Sequence, residues 1–216
     1  MAEVKVAIAD DHKIFRKGII FSMRHYSNLK FVLEAENGQE LLDGLDLAKP
    51  DVILMDLRMP VKDGIETTKY ISFHYPNILV LVLTMNEDEK FVIHMMENGA
   101  HGYLLKSTDP VEIKKAISDV IEKGYYLNNF VNRILLKKSQ NKSKRIPSLT
   151  NELAISDKER EVLQYICLEF TSAEIGDKMG ISARTVESIK ERLMEKFGLK
   201  NTAGLVFFAV KNNLID

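Results

Sequence analysis

The sequence predicts an α/β doubly wound sheet of five parallel strands, followed by a smaller all-α unit. Three observations carry this prediction. Apolar runs of strand length alternate five times with segments of helical period in the first half. Paired helix-start signals replace them in the last third, and the charge balance changes sign between the halves. An alternation of strand and helix patterns is the signature of a parallel sheet covered on both faces.

The strands are expected over Val4–Ala9, Leu29–Ala35, Asp51–Asp56, Asn77–Thr84 and Gly102–Leu105. Continuous rather than alternating apolar runs predominate in them, as suits strands buried on both faces. Between the first two, Phe15, Ile19 and Met23 recur at i, i+4 and i+8. After the fifth, Ile113, Ala116, Ile117, Val120 and Ile121 form one helical stripe. Asn37-Gly38, Lys49-Pro50, Asp63-Gly64, Tyr75-Pro76, Asn98-Gly99 and Asp109-Pro110 punctuate the loops.

Polar groups stand at the ends of four of these runs. Asp10 and Asp11 close the first, Asp56 the third, Thr84 the fourth, and Lys106 follows the fifth. In an open parallel sheet, ligands collect outside the carboxyl ends of the strands. These groups are therefore expected to converge. Three carboxylates, a hydroxyl and an ammonium suit a divalent cation and a phosphoryl group. Mg²⁺ is the expected cation, held directly by Asp11 and Asp56 and through water by Asp10. Asp56 also suits a carboxylate nucleophile that forms an acyl phosphate. Lys106 would neutralise phosphoryl charge, and Thr84 would hydrogen-bond the phosphoryl group. A single Asp at a strand end is more often a helix cap or a solvated loop residue. It is the joint pattern that points to a site.

The stretches Ile8-Ala9-Asp10-Asp11-His12, Leu54-Met55-Asp56-Leu57-Arg58-Met59-Pro60, Asp63-Gly64 and Gly102-Tyr103-Leu104-Leu105-Lys106 resemble a receiver domain of two-component signalling. The resemblance covers roughly residues 4–123 and implies a flavodoxin-like fold. It implies phosphorylation of Asp56 by a partner histidine kinase. It also implies Mg²⁺ bound by Asp10, Asp11 and Asp56 with the backbone carbonyl of Arg58, and Tyr103 as the switch aromatic. Two positions depart from the family pattern. Met85 replaces a small residue and is expected to crowd the phosphoryl site, and Ser107 replaces a proline.

The chain has 30 basic and 31 acidic residues. Residues 1–123 carry a net charge of −5 and residues 124–216 a net of +4. The excess lies in a stretch without acids that holds Arg133, Lys137, Lys138, Lys142, Lys144 and Arg145. Residues 124–150 are therefore read as a basic, partly helical linker between a domain at 1–123 and one at 151–216. Its charge suits a solvated tether at least as well as a phosphate contact. A single cysteine, Cys167, excludes a disulfide framework and fits core packing in a reducing compartment. The opening residues enter a strand directly, and no apolar run reaches the length of a membrane span. A cytoplasmic protein is expected.

Four helices are expected in the last third. Ser156-Asp157-Lys158-Glu159 and Thr171-Ser172-Ala173-Glu174 are capping boxes. Gly180 ends the second helix, Ser182 caps a third that Gly198 ends, and Asn201 caps a fourth. A short helix, a tight turn and a longer helix give the grammar of a helix-turn-helix, which many helical bundles share. Glu174-Ile175, Ile181-Ser182, Thr185-Val186 and Lys196-Phe197-Gly198-Leu199 resemble a LuxR-type DNA-binding domain over residues 152–216.

With a receiver ahead of it, the chain is similar to NarL/FixJ-type response regulators. That resemblance implies double-stranded DNA as partner, a phosphorylation-dependent homodimer, and the helix 183–197 in the major groove. Ser182, Arg184, Thr185, Glu187, Ser188, Glu191 and Arg192 are the expected DNA-facing residues. Relatives often carry Lys at the position of Glu187 and His at that of Ile189. Two other classes fit parts of the pattern. One is a signalling adaptor whose helical unit binds protein. The other is an Asp-nucleophile phosphatase, although such enzymes usually place the nucleophile on the first strand.

Overall fold

The structure is a computed structural model that describes residues 3–140, 155–212, 214 and 215. Its contacts divide the chain into two compact units, 1–126 and 127–216. The first unit contains β1 (Val4–Ala9), α1 (Lys13–Met23), β2 (Leu29–Ala35), α2 (Gly38–Ala48), β3 (Val52–Met55), α3 (Gly64–His74), β4 (Leu79–Thr84), α4 (Glu89–Glu97), β5 (Gly102–Leu105) and α5 (Pro110–Lys123). The strands pair in the order β2-β1-β3-β4-β5, all parallel.

Alternate residues of β1, β3 and β4 feed two separate cores. Val6, Ile8, Val52, Leu54, Leu81 and Leu83 pack on one face with Ile19 and Met23 of α1 and Ile113, Ile117 and Val120 of α5. Ala7, Ala9, Ile53, Met55 and Val80 pack on the other with Leu41 and Leu45 of α2 and Ile71 of α3. Burial on both faces explains the unbroken apolar run of β3 and of Leu79–Leu83 in β4, whereas the edge strand β2 carries Lys30 and Glu34. Two strands are shorter than the sequence predicts. Asp51 lies outside β3, where its carboxylate accepts from the Lys5 amide at 2.7 Å. Asn77 and Ile78 precede β4, and the Ile78 amide closes a turn to Tyr75.

Asn37, Asp63, Asp88 and Asp109 cap α2 to α5, each accepting from a first-turn amide. Helix α1 differs, because the side chain of its N-cap His12 accepts no hydrogen bond from a first-turn amide. The acidic residues at that end engage His12 itself: Asp10 Oδ1 accepts from the His12 amide at 2.8 Å, and Asp11 Oδ1 lies 2.8 Å from the His12 ring.

The second unit holds α6 (Asn129–Gln140), α7 (Asp157–Cys167), α8 (Ser172–Met179), α9 (Ala183–Phe197) and α10 (Thr202–Lys211). Helix α6 packs on α10. The division of contacts falls after Tyr126, which bridges to Gly102 and bonds Glu112 of α5. Both capping boxes form, at Ser156 and Thr171. Gly180 ends α8 at φ 64°, a left-handed conformation that suits a residue without Cβ. Val186, Ile189 and Leu193 of α9 are buried. Cys167 is half-buried, and burial pushes its thiol up to about 12. No helix among the described residues is long and apolar enough to cross a membrane.

Candidate functional site

Strand register brings the polar groups together. Ala9 pairs with Met55, so Asp10 and Asp56 leave the sheet side by side. Thr84 pairs with Leu105, and the Lys106 amide donates to the Thr84 carbonyl at 2.8 Å. The Lys106 Nζ then lies 2.6 Å from Asp56 Oδ2 and 2.7 Å from Asp10 Oδ2. Asp10, Asp56 and Lys106 are 2%, 4% and 7% exposed. An ion pair taken this far from water needs close geometry to offset its desolvation, and here one ammonium serves two carboxylates.

The acids outnumber that lysine. One carboxylate oxygen each of Asp10, Asp11 and Asp56 and a ring nitrogen of His12 lie within 4.8 Å of one another. Burial raises the pKa of the Asp10 carboxyl, against the pull of Lys106 and the His12 amide. Asp56 Oδ1 accepts from the Leu57 amide at 2.7 Å. A cavity of about 530 Å³ adjoins Asp56, lined by His12, Arg58, Thr84, Met85, Asn86, Glu87 and Lys106. Met85 lines it while remaining 74% exposed, so its bulk is directed largely into solvent. Behind the acceptor, a Cβ on Gly64 would stand 2.0 Å from the Asp56 carbonyl oxygen. Glycine is what lets α3 start against this loop.

Tyr103 is not part of the acidic group. It is fully buried, and its hydroxyl donates to the Asn86 carbonyl at 2.7 Å. The Asn86 amide in turn donates to Thr84 Oγ1 at 3.3 Å. Asn86 therefore joins the threonine to the tyrosine. Burial, then the charges of Asp56 and Asp88, raise the Tyr103 pKa, so the phenol stays a donor.

Three residues of this region were given no role by the sequence reading: His12, which stands in the first motif, Asn86 and Arg16. The side chain of Asn86 gave no signal, because its part is played by backbone. Arg16 gave one. It sits three residues before Ile19 and seven before Met23, in an otherwise apolar stripe, and it is buried.

In the second unit, Ser182, Arg184, Glu187, Ser188, Glu191 and Arg192 are exposed, and Thr185 is half-buried. Ser182 Oγ accepts from the Thr185 amide, and Ser188 Oγ donates to the Arg184 carbonyl. Glu187 accepts from Ser172 of α8 and, at 3.1 Å, from Lys190. The acid at this position thus ties two helices and meets a cation that the sequence reading did not single out. Of the basic residues at 133–145, Arg133 is exposed on α6, and the other side chains lie outside the described residues.

Residues 6–118 match the response regulator receiver domain, and residues 153–209 match the bacterial regulatory proteins of the luxR family. The chain belongs to the response regulators. The oxygen regulatory protein NreC of Staphylococcus aureus is 32% identical over 216 residues, covering 99% of this chain and 100% of NreC. Among solved structures, RcsB of Salmonella typhimurium is 31% identical with a TM-score of 0.59, covering 96% of this response regulator and 98% of RcsB. An RcsB–DNA complex is 30% identical with a TM-score of 0.58, covering 97% and 98%. The response regulator thus combines a receiver domain with a LuxR-type DNA-binding domain. Neither the phosphatase nor the adaptor reading is favoured.

Proposed function

We propose that this response regulator accepts a phosphoryl group on Asp56 from a partner histidine kinase, and that phosphorylation controls DNA binding through α9 as a homodimer. The observation that carries this reading is the buried Asp10–Lys106–Asp56 constellation at the carboxyl edge of the sheet. A carboxylate oxygen of Asp56 attacks phosphorus, and the P–N bond of the donor phosphohistidine breaks with its electron pair moving to the ring nitrogen. Lys106 can follow the new negative charge without leaving Asp56. Thr84 Oγ1 can donate to a phosphoryl oxygen, which draws on its link to Asn86 and Tyr103.

The acidic set fits Mg²⁺, because three carboxylates within one small volume leave negative charge that Lys106 alone does not balance. Asp10, Asp11, Asp56 and the Arg58 carbonyl are the residues that would hold it, and bound Mg²⁺ would neutralise the transferring group. In this reading the receiver spans 1–123, the DNA-binding domain spans 151–216, and 124–150 joins them.

Bases would be read by the exposed face of α9, with Arg184 and Arg192 on phosphates and Ser188 and Glu191 toward base edges. RcsB structures include dimers on DNA and a complex with a promoter and a phosphoryl mimic. With an acyl phosphate and Mg²⁺, the protein should gain the mass of one phosphoryl group, and Asp56→Asn should gain none. Equal labelling of Asp56→Asn ends the assignment. Selection of DNA sites by the phosphorylated protein tests the second half. If the selected site is bound no better than random DNA, α9 does not read sequence.

A further inference from the structure

The Arg16 guanidinium is buried in α1 at the back of the acidic cluster, where no substrate reaches it. Its Nη1 donates to the main-chain carbonyl of Asp10 at 2.5 Å. Its Nη2 donates to Glu36 at 2.9 Å, and its Nε lies 3.5 Å from Glu34 Oε2. The main chain of Asp10 is thereby held at both of its peptide groups, since the Asp10 amide donates to the Ala35 carbonyl at 3.1 Å. The carbonyl in question belongs to the peptide that joins Asp10 to Asp11. Its orientation sets where both carboxylates point.

From this geometry we infer that Arg16 is a positioning residue for cation binding, one that fixes the Asp10–Asp11 peptide and is itself braced by Glu34 and Glu36 of the neighbouring strand and its following loop. The inference rests on the reading of the acidic cluster as a Mg²⁺ site. A buried charge is costly unless paired, and a planar fork is the group that can reach a carbonyl and a carboxylate at once. Partners that orient metal ligands usually matter about tenfold to a hundredfold in metal affinity when removed.

Charge and position make opposite predictions here. Arg16 is a cation near a cation site, so by Coulomb repulsion alone its removal should tighten Mg²⁺ binding. If it positions the ligands, its removal should weaken binding.

The test is calorimetric titration of the full chain with Mg²⁺ alone, paired with acyl phosphate labelling across Mg²⁺ concentration. For Arg16→Met, the Mg²⁺ dissociation constant should rise about tenfold or more. Labelling at saturating Mg²⁺ should stay within about threefold of the parent, because no ligand is lost. Arg16→Lys should not restore affinity, since lysine is shorter and lacks the planar fork whose two separate nitrogens reach the carbonyl and Glu36. Glu36→Gln keeps the arginine and loosens its brace, so it should weaken Mg²⁺ by a smaller factor. It also serves if Arg16→Met does not fold.

Unchanged or tighter Mg²⁺ binding in folded Arg16→Met overturns the inference. Unchanged binding in Glu36→Gln does so if the first variant cannot be measured. A parent that binds Mg²⁺ but is never labelled on Asp56 sinks the proposed function and leaves the role of Arg16 standing. A parent that binds no Mg²⁺ sinks the role of Arg16.

Discussion

The two units handle charge in opposite ways. In the receiver, Asp10, Asp56, Thr84 and Lys106 are buried, with Lys106 held between two carboxylates. On α9 of the DNA-binding domain, the proposed groups stand exposed on one face, while the opposite face fills the core with Val186, Ile189 and Leu193. A transfer reaction is served by charges held in place before the substrate arrives, because reorganisation costs are then already met. Reading a groove needs side chains that can reach outward. The difference also decides what each unit tolerates.

That contrast predicts a ranking of substitutions. The largest effect belongs to Gly64→Ala, whose new methyl meets backbone atoms of Asp56 and Leu57 that cannot rotate away. It should destabilise the receiver by about 3 kcal/mol in urea unfolding and reduce Asp56 labelling. A loss below about 1 kcal/mol would show that the loop carrying Asp56 is not tightly seated.

Next comes a pH effect confined to one unit. His101 is buried at the start of β5, its Nδ1 accepts from the Val80 amide at 3.1 Å, and burial lowers its pKa to about 4. The unfolded chain takes up the proton first as pH falls below about 6.5, so stability is lost from there down to about 4. At pH 5 the receiver should be about 2 kcal/mol less stable than at pH 7, relative to His101→Asn measured at the same two pH values. The comparison with the variant cancels Asp10, whose raised pKa works in the opposite direction. All five histidines of the chain precede residue 102. Unfolding of the helical unit should therefore show no such window, and finding one there would break the assignment to His101.

Smaller effects are expected where space is open. Gly180→Ala meets nothing within 4 Å and bears only the strain of φ 64°, about 1 kcal/mol. Thermal unfolding of the helical unit would read it, and a loss as large as that of Gly64→Ala would mean that α8 and α9 are packed more closely than the structure shows. Last is Ser156→Ala, which removes one half of an exposed capping box for about 0.5–1 kcal/mol. The pKa of Glu159 is lowered first by the Ser156 amide, which that substitution retains. Its carboxyl should therefore stay below the usual range in an NMR titration of the variant.

The same contrast governs what the sequence disclosed. Asp56 and Lys106 were legible because a charge interrupting or ending an apolar run is rare and carries position with it. Strand order and the pairing of Ala9 with Met55 then made neighbours of residues far apart in sequence. Arg16 was legible in principle, since it occupies an apolar stripe, but one charged residue in such a stripe does not say what it bonds. The Asn86 link between Thr84 and Tyr103 runs through main-chain groups, which every residue carries, so no pattern of side chains could announce it. On α9 the sequence set the exposed face correctly. It could not show that Glu187 is already engaged by Ser172 and Lys190, because that depends on how α8 and α9 cross.

The single lysine shared between Asp10 and Asp56 has a further consequence. One ammonium cannot satisfy both carboxylates and an incoming anion to the same degree, so the cleft works as a competition with a resident contestant. A cation that drew on Asp10 would release Lys106 toward Asp56, and a new anion on Asp56 would draw it the same way. The two proposed occupants would therefore recruit the same lysine in the same direction. Because Lys106 directly follows β5, which carries Tyr103, the outcome of that contest would be registered at the end of one strand, three residues from the tyrosine whose hydroxyl rests on Asn86.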